Sequence, residues 1–272
     1  MTELATLAAG GVTLLGCGKM GGAMLEGWLA QGLPPDAVAV IEPAPSDRLR
    51  ALAASGLRLN PDAAGPAAVC LLAVKPQSMD AALPAVAGLA GSGTLFLSIA
   101  AGLPLRRFEA ALGAVPIVRA MPNTPAAVGR GITALIGNAH ATDAHMALAE
   151  ALLAAIGETV RLSDEGQMDA VTAVSGSGPA YVFHLIEALA AAGVAAGLPE
   201  ALSMRLARAT VTGAGELAHR SPESAAQLRV NVTSPGGTTA AALGVLMADD
   251  GLGALMSRAV AAATARSREL GG

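Results

Sequence analysis

Aromatic side chains are nearly missing from this 272-residue chain, which has three phenylalanines, one tyrosine and one tryptophan. Base stacking needs such rings, and a net charge of −4 with a sequence pI near 5.6 leaves no basic excess for a phosphate backbone. Nucleic acid is therefore not an expected partner. The two cysteines, Cys17 and Cys70, give no disulfide framework, so a reducing cytoplasm is the expected compartment. No uninterrupted apolar stretch reaches the roughly 20 residues of a membrane span. The nearest, Ala188 to Leu198, is broken by Gly193 and Gly197 and reads as a buried helix. The start, Met1 to Gly10, carries Glu3 and no basic segment, which gives no support for a secretory signal. Neither a membrane nor a metal is expected. Of the four histidines, His140 and His145 are five apart, off a common helical face, and no cysteine or carboxylate completes a ligand set. His184 reads as a packed core residue, and His219, beside Arg220, as a cation at a helix end.

Charge is scarce as well, at 14% of residues against 53% hydrophobic. A monomer with so little polar surface would leave apolar faces open, so a homo-oligomer is expected. The length allows two domains. From Val12 to about Leu162, short aliphatic runs alternate with helical stretches: Val12–Leu15, Ala37–Ile41, Val69–Val74, Thr94–Ile99, Ile117–Ala120 and Ile132–Ile136. That alternation predicts a parallel sheet with crossover helices. After Glu158–Leu162 only helix-like stretches remain, near 168–197, 199–219, 222–230 and 236–270, with Pro199, Pro222 and Pro235 at their starts. Ser175-Gly176-Ser177-Gly178-Pro179 should interrupt the first of them. The fold class is thus α/β, with a Rossmann-like dinucleotide-binding domain over 1–165 and an all-α domain over 166–272 for substrate binding and dimerisation.

Gly16-Cys17-Gly18-Lys19-Met20-Gly21 directly follows the first strand and leads into a helix. In such a turn Gly16 permits the tight bend, Gly18 lets a pyrophosphate approach the backbone, and Gly21 lets the helix pack on the sheet. Glu42, about 20 residues on, stands where an acidic residue accepts the ribose hydroxyls. Lys19 and Lys75 are the only lysines. Lys75 lies in Ala73-Val74-Lys75-Pro76 at the carboxyl end of a strand, where ligands bind in open α/β sheets. A solvated loop lysine is an equally good reading of that residue alone. Ala100-Ala101-Gly102 and Asn123, in Met121-Pro122-Asn123-Thr124-Pro125, end the next two strands with small or polar residues that leave room for a cofactor.

Together with Ser175-Gly176-Ser177-Gly178-Pro179-Ala180-Tyr181 and Val232-Thr233-Ser234-Pro235-Gly236-Gly237-Thr238-Thr239, these motifs make the chain similar to the pyrroline-5-carboxylate reductases. The resemblance runs from Val12 nearly to the C-terminus. It implies an NAD(P)H-dependent oxidoreductase that forms L-proline from 1-pyrroline-5-carboxylate, the last step of proline biosynthesis, and a homodimer or higher oligomer. By itself the segment at Ser234 reads as an ordinary helix cap. The resemblance instead assigns the substrate carboxylate to Ser234, Gly237 and Thr238, and the ring nitrogen to Thr239. It also puts Glu165 and Asn231 on the cofactor side, Asn60 near the adenosine end and Lys75 beside the nicotinamide.

A protonated imine is already electrophilic, so direct hydride transfer needs mainly orientation and electrostatics from the protein. Two other readings share the glycine turn: a hydroxyacid dehydrogenase of similar plan and a non-catalytic dinucleotide sensor. The former places a lysine in the helical domain, whereas no lysine follows Lys75. NADPH is the family expectation. Glu42 keeps NADH open, because a carboxylate there repels a 2′-phosphate, while Ser46 and Arg48, later in the same loop, are the residues available to receive one.

Overall fold

The structure, a computed structural model, describes residues 3–271. The chain divides into two compact units, one running to Gly176 and taking in Thr264 onward, the other Ser177–Ala263.

The first unit is built on one eight-stranded sheet. Its strands are β1 (Val12–Leu15), β2 (Val38–Ile41), β3 (Arg58–Leu59), β4 (Val69–Leu72), β5 (Leu95–Ser98), β6 (Ile117–Met121), β7 (Gly131–Gly137) and β8 (Gly157–Arg161). Their spatial order is β3-β2-β1-β4-β5-β6-β7-β8. The first six follow the doubly wound order in which the chain reverses direction across the sheet beside β1, leaving a crevice between β1 and β4. The sheet departs from the all-parallel expectation at one place. β7 runs antiparallel to β6, with Met121 opposite Ala134, and β8 then runs parallel to β7. The short link from Met121 to Gly131 cannot carry a crossover helix, and antiparallel pairing is what so short a link permits.

Alternation along the strands explains their unbroken apolar runs. Val69 and Leu71 of β4 enter one core with Leu14, Val40 and Leu97, while Cys70 and Leu72 enter the opposite core with Phe96, Phe108 and Ile117. Both faces are covered, as in parallel sheets generally. The covering helices are α1 (Glu3–Gly10), α2 (Lys19–Ala30), α3 (Asp47–Ala53), the single turn α4 (Met79–Ala82), α5 (Leu105–Leu112) and α6 (Asp143–Leu153). Trp28, 1% exposed, anchors α2 by donating its indole N–H to the Leu152 carbonyl at 2.8 Å. Thr142 and His145 form a reciprocal capping box at the start of α6.

Past β8, α7 (Met168–Val171) runs into a π-helical turn over Thr172–Gly176. The helix is thus interrupted where the Ser-Gly-Ser-Gly-Pro segment predicts. The second unit holds α8 (Gly178–Ala195), α9 (Glu200–Arg220), α10 (Ala225–Asn231), α11 (Thr238–Leu246) and most of α12 (Leu252–Gly271). The single stretch expected near 236–270 is two helices, parted at Met247–Gly251. A Cβ on Gly251 would lie 2.5 Å from the Leu246 carbonyl oxygen, so the chain turns there on a residue without a side chain.

Alpha-8 is not the buried helix its composition suggests. Within the chain only Ala190 is buried on it, while Phe183 is 60% and Leu185 49% exposed. Its contacts go mainly to α9, where Ser203 donates to the Ala190 carbonyl at 2.6 Å, while Val182, Leu189 and Val194 are exposed along with Phe183 and Leu185. His184, expected in a core, is exposed and stands 3.1 Å from Glu187. His219 and Arg220 do occupy the last turn of α9. Among the described residues, one helical run, Glu165–Ala195, is long and apolar enough to cross a membrane by length and composition.

Candidate functional site

The carboxyl ends of β1, β2 and β4 are level, because Leu15 is in register with both Ile41 and Leu72. Gly16, Glu42 and Ala73 therefore leave the sheet side by side. The three glycines of the turn have separate physical roles. Gly16 adopts φ +87, and a Cβ there would meet Val74 at 2.7 Å, so the position excludes other residues twice over. At Gly21 a Cβ would sit 2.6 Å from the Gly16 carbonyl oxygen and 3.3 Å from the Ala73 Cβ, which fixes how closely α2 packs on the strands. A Cβ on Gly18 would meet nothing within 4 Å. Its missing side chain serves no contact within the fold and leaves open space at the N-cap of α2. That is the cradle a pyrophosphate needs at a helix start. A cavity of about 500 Å³ opens beside it, lined by Gly16, Gly18, Glu42, Ala73, Val74 and Lys75 among others.

Glu42 reaches back to the turn. One carboxylate oxygen accepts the Cys17 N–H at 2.8 Å and the other the Ala44 N–H at 3.0 Å. Asn60, at φ +47, holds the Glu42 backbone from both sides: its Oδ1 accepts the Glu42 N–H at 2.8 Å and its Nδ2 donates to the Glu42 carbonyl at 2.9 Å. The Cys17 thiol lies half-buried beside this carboxylate, and burial, then Glu42 and Glu26, push its pKa up to about 11. Lys19 and Met20 begin α2, and Lys75 is an exposed cation that precedes the 3₁₀ turn Pro76–Ser78.

The ends of β5 and β6 are also in place. Ala100 is buried and Gly102 turns at φ +77 just after Ala101. Asn123 is 9% exposed and its amide works within the fold, accepting the Ile132 N–H at 3.0 Å and donating to the Ser175 carbonyl at 3.2 Å. Glu165 Oε1 accepts from the Leu105 N–H at 2.9 Å and pairs with Arg119 at 2.7 Å. Arg119, 6% exposed, is the polar residue that sequence reasoning missed. Its signal was a lone arginine inside the apolar strand Ile-Val-Arg-Ala-Met.

The remaining expected residues belong to the second unit. Asn231 ends α10, accepting from Gln227 at 2.8 Å and donating to Glu223 at 2.9 Å. Ser234 to Gly237 form a turn in which the Gly237 N–H donates to the Ser234 carbonyl at 3.0 Å, with Gly236 at φ +68. A positive φ at the third residue of a turn, directly after a proline at the second, is the type II pattern. Ser234 is thus not the cap of α11. Gly237 occupies that position without a side-chain bond, and Thr238 and Thr239 form the first turn.

Two family models match the two halves. One described as pyrroline-5-carboxylate reductase dimerisation covers residues 165–270, and one described as NADP oxidoreductase, coenzyme F420-dependent, covers residues 11–102. A pyrroline-5-carboxylate reductase of Synechocystis is 44% identical over 262 residues, which is 95% of this chain and 97% of that one. The chain belongs to the pyrroline-5-carboxylate reductase family. Solved members agree in fold over nearly the whole length. The Coxiella burnetii reductase matches with a TM-score of 0.90 at 35% identity, covering 97% of this chain and 99% of its own. The Plasmodium falciparum enzyme, solved with NADP bound, matches with 0.79 at 29% identity, covering 96% and 98%. As a reductase of this family the chain is an oxidoreductase with a Rossmann-like NAD(P)-binding sheet followed by a helical dimerisation domain. The uncovered apolar surface of α8 lies inside the span that the dimerisation model matches.

Proposed function

We propose that this chain reduces 1-pyrroline-5-carboxylate to L-proline, taking hydride from a reduced nicotinamide dinucleotide, NADPH or NADH, as the last step of proline biosynthesis. The observation that carries this reading is the open Gly18 cradle beside a cavity at the level strand ends, in a chain similar over 95% of its length to named pyrroline-5-carboxylate reductases. When bound, the dinucleotide supplies the hydride. The chain supplies orientation and charge.

In this reading residues 1–165 bind the dinucleotide and 166–272 bind substrate and dimerise. Gly16, Cys17, Gly18, Lys19, Met20 and Gly21 hold the pyrophosphate, and Glu42 and Asn60 flank the adenosine ribose. Ala73 to Pro76, Ala100 to Gly102, Asn123, Glu165 and Asn231 border the remaining length of the cofactor. The Ser234 hydroxyl and the first-turn amides of α11 hold the substrate carboxylate, since the first N–H groups of a helix have no intrahelical acceptor and carry positive partial charge. Because the Gly237 N–H already closes the turn onto Ser234, Thr238 and Thr239 are the stronger amide donors. The Thr239 hydroxyl bonds the ring nitrogen and orients the C=N carbon. Subunits associate through the helical domain as a dimer or larger assembly. The two unpaired thiols suit a reducing cytoplasm.

Dinucleotide oxidation with 1-pyrroline-5-carboxylate, compared with small oxo acids, tests the reaction. Turnover confined to the imine is expected, and turnover on an oxo acid alone would point to a hydroxyacid dehydrogenase. Thr239→Val tests the role of the hydroxyl. It should lower kcat/KM by about 10²-fold, the scale of a lost polar contact made in the transition state, with dinucleotide affinity unchanged. Normal turnover in that variant would remove Thr239 from the mechanism.

A further inference from the structure

The loop that follows β2 opens on a carboxylate. Its first residue, Glu42, presents a carboxylate fixed on two amides, those of Cys17 and Ala44. Pro43 and Pro45 have no N–H to offer, and the Ala44 N–H is already committed to Glu42. Ser46 is the N-cap of α3, its hydroxyl accepting the Leu49 N–H at 3.3 Å. Arg48, the cation best placed in sequence to receive a phosphate, is held by Glu26 in a two-point contact, Nε to Oε1 at 2.6 Å and Nη2 to Oε2 at 2.9 Å. Asn60 fixes the Glu42 backbone through both its N–H and its carbonyl. Lys75 lines the same cavity, but it leaves the sheet at β4, on the other side of β1 from Glu42.

We infer that this chain selects the unphosphorylated dinucleotide, with Glu42 as the specificity-determining residue and the Glu26–Arg48 pair as its support. The inference rests on the dinucleotide-dependent reading above. Each oxygen of an ionised carboxylate has a second lone pair, so Glu42 keeps acceptor capacity for the ribose 2′- and 3′-hydroxyls while bonded to the two amides. A 2′-phosphate brings a charge of about −1.5 to −2 at neutral pH against that carboxylate. Arg48 has its Nε and Nη2 engaged by Glu26 and so is partly neutralised as a counter-charge. Selectivity therefore comes from repulsion at Glu42 as much as from its bond to the hydroxyl.

Direct titration of the purified protein with NADH and with NADPH, without substrate, tests this independently of turnover. NADH should bind about tenfold to a hundredfold more tightly, the scale of one like-charge contact at a binding surface, with the gap narrowing as salt is raised. Glu42→Ser should erase the gap, and Glu42→Ser with Glu26→Gln, which frees Arg48, should shift it toward NADPH. Equal or tighter binding of NADPH by the unmodified protein overturns the inference whatever the variants do. If NADH binds selectively but 1-pyrroline-5-carboxylate is not reduced, the cofactor inference stands and the proposed reaction falls.

Discussion

The Arg119 guanidinium and the Glu165 carboxylate meet 2.7 Å apart in the first unit, and the same Glu165 oxygen accepts the backbone N–H of Leu105 at 2.9 Å. One oxygen thus ties β6, the start of α5 and the segment leading into α7. The side chain of Arg119 is only 8% exposed, so the pair is a necessity once that arginine lies inside the strand. A buried charge without its partner is strongly unfavourable, whereas the pair itself adds little net stability.

Glu165→Ala should therefore destabilise the fold by about 2–3 kcal/mol, less than a wholly buried pair because Glu165 keeps some contact with water. Glu165→Gln keeps an acceptor for Leu105 and should cost about half as much. Thermal denaturation of the two variants measures the difference. Equal melting temperatures for both and the parent would show that the pair has no structural role.

Gly18 and Gly21 should respond oppositely to alanine. Gly18→Ala meets nothing in the fold and should leave stability within about 0.5 kcal/mol, yet weaken dinucleotide binding by tenfold or more, roughly 1.4 kcal/mol, because the methyl group fills the cradle. Gly21→Ala places a methyl group 2.6 Å from the Gly16 carbonyl oxygen. Such overpacking costs about 1–3 kcal/mol. Melting temperature and dinucleotide affinity, measured on both variants, separate the two effects.

Cys17 should be a slow nucleophile in spite of its place at a helix start. Its thiol pKa rises from the ordinary 9.0 to about 11, first by burial and then by the Glu42 and Glu26 carboxylates. The folded state holds the proton more tightly than the unfolded chain. The thiol therefore has no effect on stability below pH 9, and stability is lost as pH rises from there through about 11. Alkylation of the native protein should modify Cys17 only, since Cys70 is 0% exposed, and its rate should still be climbing above pH 9. A rate that levels off by pH 9 would contradict the shift.

The doubly wound order and the glycine turn were legible because they rest on local signals, short apolar runs and glycines at fixed offsets. Strand direction was not. Nothing in Ile132–Ile136 distinguishes a parallel partner from an antiparallel one, and only the shortness of the link after Met121 decides it. Strand β3, two residues long, carries no periodicity to read. Single-residue roles were the least legible. His184 sits among apolar neighbours in sequence but is exposed, on a helix of which Ala190 alone is buried. Asn123, expected beside a ligand, also bridges Ile132 and Ser175 within the fold, a role its sequence did not signal, while Arg119 was passed over. Glu42, read from its distance to the glycine turn, proved to be bonded to that turn through Cys17.

In the proposed reaction hydride passes from the dinucleotide to the imine carbon, which becomes C5 of proline. Supplying dinucleotide deuterated at the transferable position of the nicotinamide, with unlabelled 1-pyrroline-5-carboxylate, and locating the label in the product tests it directly. L-proline carrying one deuterium at C5, in an amount equal to the dinucleotide oxidised, is the expected product. Unlabelled proline, or a dinucleotide bound tightly with no proline formed, would contradict it.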